Sequence, residues 1–150
     1  MAGPYSWRRP LTRRPPLAEV WHSSWDRRSN APLDWWAAWG GIPVGGSDFH
    51  MSGSDGLPGE PTTWVEAEEL SLGAIFAALR VGRVAISAGP LGPAAVRHED
   101  GIVTLGAAGA VLVGPDGFRR PIGDERERVP AGPGPYRLVD PSGSTLALIA

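Results

Sequence analysis

Asp48 and His50, two positions apart in Gly45-Gly46-Ser47-Asp48-Phe49-His50, are the residues of this sequence whose types and spacing best suit chemistry. A carboxylate supplies a hard oxygen and an imidazole a borderline nitrogen, so together they suit a divalent cation such as zinc, manganese or iron. The 150 residues include no cysteine, which excludes disulfides, zinc fingers and a thiol nucleophile and leaves histidine and carboxylates to hold any metal. As a bare tripeptide, Asp-x-His has little specificity, because such pairs also cap loops. Its setting adds to it. At the end of a strand, alternation sends Asp48 and His50 to one side and Phe49 to the other. Gly45 and Gly46 allow close backbone approach, Ser47 stands where it can orient Asp48, and the Gly-rich stretch after His50 leaves an open mouth for substrate.

The elements that must position this pair follow from apolar spacing. Residues 1–17, with Pro4, Pro10, Pro15 and Pro16 among paired arginines, are expected to form a loop. Ala18 to Trp21 predicts a short buried strand, and His22 to Asn30 a polar turn. Pro32 suits a first helical position, with Asn30 or Ala31 as cap. Leu33 and Trp36, with Trp39, share a face before Gly40 and Gly41 end the helix. Ile42 to Gly45 predicts a strand running into the motif. Residues 51–61 are too rich in Gly and Pro for anything but a loop, and Thr62 to Val65 is β-prone. Ser71 is an N-cap for a helix carrying Leu72, Ile75, Phe76 and Leu79, with Gly82 at C′ and a strand at Val84 to Ser87. Strand, helix, strand, loop, helix, strand over residues 18–90 is the repeating unit of a parallel α/β barrel or sheet. After residue 90 only short β-prone runs remain: Ile102 to Leu105, Ala110 to Val113, Tyr136 to Val139 and Thr145 to Ile149. The run Asp124 to Arg128 is expected as a solvated turn or edge.

Three segments occur in order: Gly46-Ser47-Asp48-Phe49-His50, Pro61-Thr62-Thr63-Trp64-Val65 and Leu79-Arg80-Val81-Gly82-Arg83, followed by Ala85 to Pro90. The series resembles the last conserved part of the PHP (polymerase and histidinol phosphatase) domain, more narrowly the CehA/McbA-like metallohydrolases, across residues 18–90. The resemblance implies an α/β fold, the C-terminal part of a distorted β/α barrel, followed by a small all-β segment over residues 91–150. It implies that Asp48 and His50 are metal ligands, each going to a different ion of a multinuclear cluster of divalent zinc, manganese or iron. The activity implied is hydrolysis of a phosphoester or other ester-type bond in a small molecule. The family's opening His-x-His motif has no counterpart here, where the histidines are His22, His50 and His98. The chain is therefore expected to be a truncated enzyme or half of a split one, inactive alone, with an incomplete cluster. Its open strand edges are expected to dock on an N-terminal partner or a second copy.

Other residues carry bland and sharp readings together. His22 lies where the family shows a strand ending in Glu-x-x-Asn, so it either lines the site or hydrogen-bonds locally in a loop. Asp26 and Asp55 sit in turn-rich segments that favour Asp for backbone reasons. His98, among charged residues before Gly101, is expected at the surface. Seven tryptophans could form a carbohydrate-binding surface, but Trp35, Trp36, Trp39 and Trp64 are expected to pack in the core. The paired arginines near the N-terminus, Arg27 and Arg28 included, are expected in solvated loops and become anion clamps if the substrate is phosphorylated. A net charge of −2 gives no reason to expect nucleic acid. Neither a signal peptide nor a membrane-spanning run is visible, which makes a cytoplasmic setting the default. The competing class is a non-catalytic binding or structural module that keeps the α/β architecture without a competent metal cluster.

Overall fold

The computed structural model describes residues 12–53 and 56–149. Strand β1 (Leu17–His22), helix α1 (Ala31–Trp39) and strand β2 (Ile42–Gly46) come first, followed by β3 (Thr62–Val65), α2 (Leu72–Arg80) and β4 (Val84–Ser87). Then come β5 (Ala94–His98), β6 (Gly101–Leu105), β7 (Val111–Val113), β8 (Arg119–Pro121), β9 (Arg126–Pro130), β10 (Tyr136–Val139) and β11 (Thr145–Ile149). Local signals account for the helix ends. Gly40 closes α1 in the left-handed region at φ 75°, and the Ser71 hydroxyl accepts the Ala74 amide at the start of α2.

A six-stranded sheet in the order β3-β4-β11-β10-β7-β8 forms the middle layer. Because paired residues share a face, Tyr136 and Ile149 point to one side while Ile86 and Leu148 point to the other. The first side meets the three-stranded sheet β5-β6-β9, and Ile102, Leu112, Val129, Leu138 and Ile149 fill the space between. The second side is covered by β1, α1 and β2, through a cluster of Val20, Trp21, Trp36, Ile86 and Leu148. Strands from both sides of residue 90 thus share one sheet, with β11 between β4 and β10.

The expected β/α barrel does not form. The described residues are 36% strand and 15% helix in three small sheets, and the only parallel pairing among them is β1 with β2. The β3-α2-β4 segment shows why. A parallel crossover needs its helix laid across the sheet face, yet α2 buries only Ala78 and leaves Leu72 and Phe76 exposed. The helix instead sits in a connection closed at its base by the Glu66 amide donating to the Arg83 carbonyl, and β4 returns antiparallel to β3. On its other edge β4 pairs antiparallel with β11, so no parallel neighbour is available to it.

The tryptophan expectation divides. Trp36 is buried and donates its indole N–H to the Gly41 carbonyl. Trp35 is half exposed and stacks on Trp39. Trp64 is 39% exposed rather than in the core, because β3 is an edge strand. Residues 1–11 of the expected N-terminal loop, and Asp55, lie outside the described residues.

Candidate metal site

The parallel pairing of β1 and β2 brings both C-terminal ends to one edge of the molecule, with His22 in register with Gly46. Two residues beyond Gly46 the chain turns sharply. Asp48 adopts φ 50°, a left-handed conformation that Asp tolerates better than most side chains. This turn, not strand alternation, sets the geometry, since β2 ends at Gly46. The Asp48 carboxylate stands between two imidazoles: its Oδ2 is 3.2 Å from His22 Nε2 and its Oδ1 is 3.7 Å from His50 Nε2.

His22 is held from behind. The Ser24 amide donates to His22 Nδ1 at 3.1 Å, and the Ser24 hydroxyl lies 2.9 Å from the same nitrogen. With Nδ1 accepting, a neutral ring carries its proton on Nε2, the nitrogen that faces Asp48. All three side chains are substantially exposed, His50 most, so solvent screens their mutual attraction. Backbone placement therefore fixes the trio. Gly45 is central to that placement: its amide donates to the Thr63 hydroxyl oxygen at 2.8 Å, and that hydroxyl donates to the Gly45 carbonyl at 2.9 Å. A Cβ at Gly45 would come 2.6 Å from the Ile86 side chain, so this close approach of β2 to the middle sheet requires glycine.

Asp48 and His50 open on a cleft of about 390 Å³ that Trp21, Arg27, Glu60 and Pro61 also line. Ser47 is half-buried, is not part of that lining, and makes no hydrogen bond to Asp48 among the described residues. Asp26 accepts the Arg28 amide in a tight turn. His98 is surface-exposed, with Nε2 3.7 Å from Glu66 Oε1. Sequence reasoning missed Glu60, which lies in the Gly- and Pro-rich loop. Arg27, expected in a solvated loop and as an anion clamp only for a phosphorylated substrate, lines the cleft. Nothing local marks Glu60, because the fold brings it there.

The donor set suits a divalent ion in kind. Asp48 and His50 are the oxygen and nitrogen donors such an ion takes, and they face each other at 3.7 Å. Each imidazole faces a different oxygen of the Asp48 carboxylate. Among the described residues no group of three or more His, Asp or Glu converges on a single ion, so each ion would draw further ligands from elsewhere. No described helix is long and apolar enough to cross a membrane. Comparison with known protein families, curated proteins and solved structures returns no match.

Proposed function

We propose that this chain contributes to the metal centre of a hydrolase of the PHP class, in the CehA/McbA-like branch, acting on a phosphoester or other ester-type bond of a small molecule. The observation that carries the reading is the Asp48 carboxylate flanked by His22 Nε2 and His50 Nε2 at the mouth of a substrate-sized cleft. The family's barrel forms no part of it; the reading stands on the site and on the ordered motifs. Asp48 and His50 would hold divalent zinc, manganese or iron, with His22 lining the site beside them. A bound ion supplies increased acidity to water and neutralises charge on the ester oxygens. The chain's own residues hold the pieces: Ser24 orients the His22 ring toward Asp48, the left-handed turn aims Asp48, and Trp21 and Pro61 line the cleft beside it. The outer edge of β1 has no strand partner among the described residues, which suits docking of a second chain carrying further ligands.

The lack of three ligands on one ion favours a second reading, a binding or structural module without catalysis. Equilibrium dialysis against Zn²⁺ or Mn²⁺, followed by metal analysis, separates the two. The hydrolase reading expects stoichiometric metal that falls at least about ten-fold in Asp48→Ala. Metal content at background in the unsubstituted chain, or unchanged by the substitution, would leave the module.

A further inference from the structure

Arg27 lines the cleft and is fixed there by a residue far along the chain. Its Nε and Nη2 both donate to the Thr145 carbonyl, at 3.0 and 2.9 Å, and its own carbonyl accepts the Thr145 amide at 2.9 Å. The guanidinium carbon lies 5.8 Å from the centre of the Trp21 ring, which in turn packs edge-on against Trp25. A side chain that is ordinarily mobile is thus held in one orientation by the first residue of β11 and an aromatic wall. The fork is oriented, and its Nη1 group has no protein partner among the described residues.

The same residue borders a second hollow of about 360 Å³ whose walls include Leu57, Pro58, Pro90 and Leu91. Arg27, Glu60 and Ala88 line both spaces, so the two adjoin along these residues. Leu57 and Leu91 are exposed, and Leu91 is 99% accessible, so an apolar shelf adjoins the fixed cation. On the other side of Arg27 stand Asp48 and His50. Asp48 and Glu60 together make the cleft acidic, which discourages anions until a cation at Asp48 offsets that charge.

We infer that Arg27 is the specificity-determining residue of this cleft. The ligand is an organic oxyanion, phosphate or carboxylate, whose head group rests on Arg27 facing Asp48 while its apolar arm lies along Leu57 and Leu91. The inference rests on the hydrolase reading for what happens at Asp48, and it narrows the substrate from esters in general to anionic ones with an apolar arm. Neutral esters offer the guanidinium no charge-assisted bond and are disfavoured relative to anions.

Calorimetric titration of the full chain with phenyl phosphate, phenylacetate, inorganic phosphate and neutral benzamide, with and without Mn²⁺, tests this. At least one aromatic anion binds about ten-fold or more tightly than benzamide, and the tighter of the two identifies the head group. Arg27→Gln removes at least about ten-fold of that affinity, whereas Arg28→Gln leaves it unchanged. Leu91→Ser weakens phenyl phosphate and not inorganic phosphate. Equal binding of benzamide, or unaltered affinity in Arg27→Gln, overturns the inference. Because Arg27 also ties down Thr145, the guanidinium resonances of the unsubstituted protein give a second readout: they shift on adding phenyl phosphate, and signals that stay in place overturn the proposal without any variant. Arg27-dependent binding in a chain that retains no metal removes the hydrolase reading alone. Retained metal with Arg27-independent binding removes this inference alone.

Discussion

At the scale of single residues, Asp48 carries the most constraint. A side chain at φ 50° accepts a conformation costing most L-residues about 1–2 kcal/mol. Strain of this sort tends to be kept where function needs it. The consequence separates backbone from carboxylate. Asp48→Gly and Asp48→Ala both remove the ligand, but Gly occupies the left-handed region freely. Thermal denaturation should therefore find Asp48→Gly more stable than Asp48→Ala by about 1 kcal/mol, with metal retention lost in both. The reverse order of stability would contradict the left-handed turn. The convergence of Asp48 and His50 was anticipated from their spacing, though by a mechanism the structure replaces: a turn beyond the strand rather than alternation along it. His22 carried two readings in the sequence, and its geometry joins them, since it hydrogen-bonds locally to Ser24 and also reaches Asp48. Glu60 was not legible as a site residue, and Arg27 only as a conditional anion clamp, because their placement arises from contacts across the fold, Arg27 meeting Thr145 far along the chain.

At the scale of elements, local signals were read well where a capping or turn residue stood at the boundary. Ser71 capped α2, Gly40 ended α1, and the β-prone runs Thr62–Val65, Tyr136–Val139 and Thr145–Ile149 became strands with those bounds. Strands β5 and β8 were missed, and the run Asp124 to Arg128 was read as a solvated turn or edge; its second half opens β9, which forms one edge of the three-stranded sheet and buries Val129. Its alternating charges, paired across strands as in Arg120 with Glu127, concealed the buried position. At Gly45, β2 lies close against Ile86 of β4. Gly45→Ala should force Ile86 or β2 to move and loosen both Thr63 bonds, at a cost of about 1–3 kcal/mol. Because Asp48 is three residues further along, metal affinity should fall with stability. Unaltered thermal stability and metal content in Gly45→Ala would show that β2 does not rest on the middle sheet at this distance.

At the scale of the whole molecule, the barrel expectation failed for a reason that local patterns do not carry. A strand–helix–strand order fixes neither the direction of the returning strand nor its neighbours, and here the C-terminal strand β11 takes the place beside β4 that a parallel strand would fill in a barrel. What survives is one parallel pair, β1 and β2, and that pair suffices to bring His22 and Asp48 to the same edge. The wider layout also sets the histidines apart. His98 pairs with Glu66 just past the end of β3, whereas Glu60, before its start, lines the cleft. At about 3.3 Å per residue the length of β3 separates those two ends by roughly 15–20 Å. The chain contains only these three histidines, so each imidazole can be followed individually. Titration with Mn²⁺ observed through the imidazole NMR signals addresses the metal centre directly. Paramagnetic broadening of His22 and His50 at low Mn²⁺, with His98 still sharp, is the result expected; broadening of all three alike, or of His98 alone, would contradict a metal site at Asp48.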